Sequence, residues 1–132
     1  MTNLRTMILP LAAGLSLLSG VAAAQESSDA QEGKLAFNNN CRRCHVTNEG
    51  DNRLGPSLHN VLGREAGLSS GFAYSSAMKN ASIVWDEETL DAYIENPDAV
   101  VPGNRMKPYP GVSSAEERAN IIAHLKAESG GG

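Results

Sequence analysis

The run Cys41-Arg42-Arg43-Cys44-His45 constrains this chain more than any other feature, and it contains both cysteines of the 132 residues. It is the C-x-x-C-H pattern of covalent c-type haem attachment. The spacing has a physical reason. Two thiols three residues apart each add to one of the haem's two vinyl groups, and a histidine directly after the second thiol is then held beneath the iron, where its imidazole binds as the proximal ligand. Three other readings compete: a plain disulfide, half of a zinc site, and a thioredoxin-like redox pair. A zinc site wants a second Cys pair that the chain lacks, a thioredoxin motif wants a βαβ pattern, and a disulfide gives no reason for His45.

Composition agrees with a bound group in the interior. Only 5% of the residues are aromatic and 13 are glycine, so a core made of side chains alone would be thin for this length. A length of 132 residues is one domain's worth of chain. The net charge of −4 argues against nucleic acid as a partner, because phosphate recognition calls for a basic patch or stripe.

The first segment reads as a secretory signal, with Arg5 ahead of an apolar run from Met7 to Val21 and the small residues Ala22-Ala23-Ala24 after it. Cleavage after Ala24 divides the chain into a signal over 1–24 and a single domain over 25–132. A retained anchor is the alternative, but the apolar run is interrupted by Pro10 and Gly14 and falls short of the roughly 20 residues a spanning helix needs. Removing it takes away one arginine and no acid, leaving 10 basic and 15 acidic side chains and a formal charge of −5. Export places the domain in the periplasm, with no stable membrane insertion after cleavage.

The rest of the chain predicts an all-α domain of few helices and long loops. After a polar leader, Gln25 to Ser28, Asp29 is an N-cap candidate with Glu32 three residues on, and the helix it opens runs to about Asn40. Gly33 and Phe37 lie on one face of it, and a glycine there lets a second helix approach closely. From Val46 to Ser82, glycine punctuation predicts loops with short helical turns. A second helix is capped by Asp86, carries Leu90, Tyr93 and Ile94 on one face, and stops before Pro97. The segment from Pro97 to Pro110 holds four prolines and reads as a restricted extended loop. The last helix opens at Ser113 or Ser114, with Glu116 or Glu117 completing a capping box, and continues through Ile121, Ile122 and Leu125.

A sixth ligand for the iron is sought downstream. Past the signal the methionines are Met78 and Met106, and the other candidates are His59 and His124. Met106 is the better choice, because the proline-stiffened loop Val101-Pro102-Gly103-Asn104-Arg105-Met106-Lys107-Pro108 would hold a thioether rigidly against iron. Met78 lies in a short helical turn, where filling a core gap is its expected role. His59 and His124 read as surface or hydrogen-bonded histidines.

With these landmarks in order, the chain resembles the class I cytochromes c, and among them the mitochondrial cytochrome c and bacterial cytochrome c2 group. The resemblance runs from Gly33 and Phe37 through the haem motif, Gly55-Pro56-Ser57-Leu58-His59, Leu62-Gly63-Arg64, Gly71-Phe72-Ala73-Tyr74 and Trp85. It continues through Leu90 to Pro97, Pro102 to Met106, and Glu117 to Leu125. It implies a fold in which the N- and C-terminal helices cross and loops wrap one haem c bound through Cys41 and Cys44, with His45 and Met106 as axial ligands. It further implies that the Pro56 carbonyl accepts the His45 ring N–H. By the same resemblance Arg64, Tyr74 and Trp85 hydrogen-bond or neutralise the haem propionates, and Tyr93 lies beside the methionine sulfur. Asn104 stands where that family usually has a threonine. Met78 stands where it usually has an asparagine, and Tyr109 is offset from its usual phenylalanine.

The function implied is that of a monomeric electron carrier and not an enzyme. Its partners would be redox proteins: a bc1-type complex, a terminal oxidase, a photosynthetic reaction centre or a periplasmic dehydrogenase. Service to one specific dehydrogenase is the alternative with the same chemistry. A haem peroxidase or gas sensor with an open iron site is the alternative with different chemistry. Charge is uneven: Gly33 to Arg64 holds five basic and two acidic residues, and Asp86 to Asp98 holds six acidic and no basic ones. Arg42, Arg43, Arg105 and Lys107 are therefore expected near the exposed haem edge, steering it towards acidic docking sites.

Overall fold

Asp86 and Ser114 cap helices where the sequence places them. The structure, a computed structural model, describes residues 20–130, and the signal-like run as far as residue 19 lies outside the described residues. Five helices occur among the described residues: α1 (Gly20–Asn40), α2 (Ser76–Lys79), α3 (Glu87–Glu95), α4 (Pro97–Val100) and α5 (Ala115–Ser129). No strand occurs among them, and the nearest approach to one is a single antiparallel bridge between Glu65 and Val84. None of the described helices is long and apolar enough to cross a membrane.

Asp86 caps α3 with a reciprocal box: its carboxylate accepts the Thr89 N–H at 2.8 Å, and its own N–H donates to the Thr89 hydroxyl at 2.9 Å. Ser114 caps α5 by accepting the Glu117 N–H at 3.2 Å, and Gly130 closes the other end. Ser75 does the same for the single turn of α2, which carries the buried Met78 into the core as expected.

Two expectations are corrected. The first helix does not start at Asp29. Among the described residues its ladder is already formed at Gly20, and the alanines at 22–24, strong helix formers, carry it through the polar leader. The stretch after Asn96 is not wholly extended either. Asn96 accepts the Ala99 N–H at 3.3 Å, and Pro97 occupies the first helical position, where its missing N–H costs nothing, so one turn forms as α4 before the chain opens out.

Helices α1 and α5 cross at Gly33. A methyl group there would lie 2.8 Å from the Asn120 carbonyl oxygen and 3.3 Å from His124 Cβ, so only glycine lets the two backbones meet at this distance. His124 is spent on this crossing, its ring 5.0 Å from that of Phe37. The Asn40 amide clips the same pair of helices, donating to Ala36 O at 2.9 Å and to Glu117 Oε1 at 2.7 Å. Buried side chains from α1, α3 and α5, including Phe37, Leu90, Tyr93, Ile94, Ile121 and Leu125, form one apolar cluster with Trp85 and Met78.

Arg118, almost fully buried on α5, joins α3 to the segment before α5. It donates to both Asp91 oxygens at 2.8 and 3.3 Å and to the carbonyls of Val112 and Ser113 at 3.0 Å each. Glu95 lies 3.4 Å away on the same face of α3.

Candidate haem site

The haem motif follows directly from the end of α1. The Cys41 N–H still donates to Phe37 O at 2.8 Å, and the chain then tightens into a turn in which Cys44 and His45 both donate to Cys41 O, at 3.0 and 2.9 Å. Neither cysteine is in a disulfide, and each is half-buried. Burial, reinforced by Cys44 and Glu117, pushes the Cys41 thiol up to about 12.

The loop that follows comes back beside the motif: Gly55 donates to Cys44 O and Leu58 to Val46 O, both at 2.8 Å. This pairing puts the Pro56 carbonyl 2.8 Å from His45 Nδ1, as expected. With the ring proton on Nδ1 donated to Pro56, the lone pair sits on Nε2. Burial holds the His45 pKa below its ordinary value, more than the Pro56 hydrogen bond raises it, so the ring stays neutral and able to bind a metal. Gly55 forms the wall of this cradle. A methyl group on it would occupy the space of His45 Cε1 and come within 2.6 Å of Nδ1 and 2.7 Å of Nε2.

Arg64 supports the same loop from below, donating to His59 O and Ser57 O at 3.0 Å each. Desolvation lowers its pKa, and the neighbouring Tyr74 opposes that effect. The Tyr74 hydroxyl accepts the Ser69 N–H at 3.2 Å, which leaves its own proton to donate. Trp85 is buried, exchanges backbone hydrogen bonds with Gly63 and Arg64, and packs 5.0 Å from Tyr93. Burial, with Asp98 nearby, pushes the Tyr93 hydroxyl up to about 12.

Met106 lines a cleft of about 420 Å³ together with Asp98, Asn104, Lys107 and Tyr109. None of Cys41, Cys44 or His45 lines that cleft. Asn104, 4% exposed, accepts the Met106 N–H on Oδ1 at 2.9 Å and donates from Nδ2 to Asp98 Oδ1 at 2.9 Å and Val101 O at 3.0 Å. Tyr109 donates to Ile94 O at 2.7 Å, a tie between the Met106 loop and α3 that its position in the sequence left open. The two histidines weighed against Met106 are otherwise engaged. His59 has Nδ1 3.2 Å from Thr47 O and Nε2 3.1 Å from the Asn60 amide, and His124 belongs to the helix crossing.

Two cysteines three residues apart and not joined in a disulfide, a neutral histidine with Nε2 unblocked, and a glycine wall that leaves room for nothing but the ring fit the attachment of a c-type haem. A zinc site is not supported, since no group of three metal-binding side chains occurs among the described residues. An all-α fold of crossed terminal helices with this attachment turn is that of the class I c-type cytochromes.

Comparison with known proteins agrees. The family model described as "Cytochrome C oxidase, cbb3-type, subunit III" matches residues 28–125. Cytochrome c of Euglena viridis is 43% identical over 98 residues, which are 74% of this chain and 95% of that protein. Cytochrome c2 of Rhodopila globiformis is 44% identical over 98 residues, 74% of this chain and 92% of that one. The solved structure of cytochrome cH from Methylobacterium extorquens superposes with a TM-score of 0.68 at 38% identity, covering 75% of this chain and 98% of that one. The chain belongs to the cytochrome c family, whose work is electron transfer, and it carries one c-type haem bound covalently through Cys41 and Cys44.

Proposed function

We propose that the domain over 25–132, released from a signal over 1–24, is a soluble, monomeric electron carrier of the periplasm whose haem iron is ligated by His45 and Met106. What supports this reading is how each of the two proposed ligands is held. His45 has its tautomer set by Pro56, and Met106 sits on a loop pinned by hydrogen bonds on either side of it.

The haem, when bound, supplies an iron that gains and loses one electron. The protein does the rest. Pro56 O strengthens His45 as a donor. The Met106 thioether, soft and uncharged, favours the reduced state and so a positive potential. As a second protein ligand to the iron it would leave no site for oxygen or peroxide, which would make the chain a carrier of electrons and not an enzyme. Arg64, Tyr74 and Trp85 would supply donors for the propionates, with Tyr93 beside the methionine.

Docking is steered by charge. Arg42, Arg43, Arg105 and Lys107 are all exposed, but Lys107 is paired with Asp98 at 2.8 Å, so the three arginines form the free positive field. The acids of α3 lie on another element, and the molecule is dipolar despite its negative total. The periplasmic partner is a redox protein with an acidic docking face, of the bc1-complex, oxidase, reaction-centre or dehydrogenase kind.

The test is stopped-flow electron exchange between the reduced protein and such a partner at rising ionic strength. One electron per haem should be transferred, at a rate that falls as salt screens the arginines over about 10 Å at 0.1 M. A rate independent of salt would remove the steering, and failure to transfer an electron at all would remove the carrier reading.

A further inference from the structure

The Met106 loop is held by a residue that neither the haem motif nor the axial reading requires. Asp98, in the first turn of α4, accepts Asn104 Nδ2 on Oδ1 at 2.9 Å and Lys107 Nζ on both oxygens at 2.8 Å. Asn104 lies two residues before Met106 and Lys107 directly after it, so one carboxylate grips the loop on both flanks of the methionine.

We propose that Asp98 is a positioning residue for Met106, acting through the buried amide of Asn104. An asparagine amide has two ends of opposite character, and only its oxygen can accept the Met106 N–H. A carboxylate accepts and never donates when ionised, so Asp98 admits only the Nδ2 end of Asn104. Val101 O, another acceptor, admits the same end at 3.0 Å. With Nδ2 fixed on that side, Oδ1 is turned to the Met106 N–H, which it meets at 2.9 Å. Hydrogen bonding to Lys107, with help from Asn104, keeps the Asp98 pKa below its ordinary value and the carboxylate ionised.

An exposed Asp–Lys pair alone contributes little, because water screens it and both side chains lose freedom in making it. What sets this pair apart is the buried amide it orients. Such a buried polar group is costly when a partner is lost, and here it is the group that holds the Met106 backbone N–H. Two other ties on this loop, Arg105 Nη2 to Ala73 O and the Tyr109 hydroxyl to Ile94 O, both at 2.7 Å, do not touch the Asn104 amide.

The inference rests on Met106 as axial ligand, and its test separates the two. In the haem-loaded protein, the hydrogen-exchange rate of the Met106 amide is measured by NMR, together with the rate at which imidazole binds the oxidised protein. Asp98→Ala should raise both rates about three- to tenfold, the scale of one lost hydrogen bond. Asp98→Asn, whose own Oδ1 still accepts from Asn104, and Lys107→Met, which keeps the carboxylate, should stay within about twofold, the scale of an exposed ion pair. Rates unchanged in Asp98→Ala, or raised equally in Asp98→Asn, would overturn the proposal. If the unaltered protein binds imidazole as readily as Met106→Ala does, the axial reading is the one that fails. The Met106 amide exchange then still decides whether Asp98 orients Asn104.

Discussion

Gly55→Ala should lower the share of protein carrying covalent haem well below that of the unaltered chain and depress the thermal midpoint of what does load by about 4–12 °C. The added methyl would sit where His45 Cε1 now is, within 2.6 Å of Nδ1 and 2.7 Å of Nε2. The imidazole cannot swing aside cheaply, since its Nδ1 is fixed to Pro56 O at 2.8 Å and its backbone N–H to Cys41 O at 2.9 Å. Relief therefore requires either moving the loop, an overpacking cost of about 1–3 kcal/mol, or releasing the hydrogen bond that sets the tautomer. At roughly 4 °C per kcal/mol for a domain of this size, the first route alone accounts for the expected shift. Haem content by absorbance and thermal melting read the two effects separately. A variant that loads and melts like the unaltered protein would mean that His45 is not held against Gly55.

The largest effect on stability is expected from Ile121→Ala. Ile121 is fully buried, at 0% exposed, on α5 in the apolar cluster that joins the terminal helices to α3. Truncating it leaves a cavity that the tight α1–α5 crossing at Gly33 cannot close, so the cost is about 2–5 kcal/mol, or roughly 10–20 °C in the midpoint. Leu35→Ala on the same pair of helices is the control: that side chain is 60% exposed and its loss should stay within about 0.5 kcal/mol. If both variants melt alike, the haem rather than the helix crossing carries the core.

How much of this could be read in advance depended on the range of the interaction. The haem motif, the Asp86 box and the Ser114 cap are legible because each is satisfied within four residues of itself. Gly33 announced a close approach, but what it approaches, the Asn120 carbonyl and His124, lies on the other helix and is fixed only when α1 and α5 cross. Asn96 and Pro97 held a local signal that was passed over: a capping side chain followed by proline at the first helical position opens a turn, and reading proline only as a breaker hid α4. The start of α1 went the other way. Asp29 reads locally as a beginning, but a cap residue does not end a ladder that good helix formers already carry through it. Asp98 and Arg118 could not have been found by pattern. Asp98 counted as one of six acids in an acidic stretch, and Arg118 as a charge on a helix. Their roles come from partners brought to them by the fold, six and nine residues away for Asn104 and Lys107, and 27 for Asp91.

The central claim is that His45 and Met106 together close the iron to everything but electrons. The most direct measurement is the absorption spectrum of the purified protein, oxidised and reduced, including the weak near-infrared band produced by a methionine sulfur bound to ferric haem. The account predicts that the band is present and that it disappears in Met106→Ala while the haem stays covalently attached. A haem-loaded native protein without that band would contradict it, and the open-site reading, a sensor or peroxidase, would take its place.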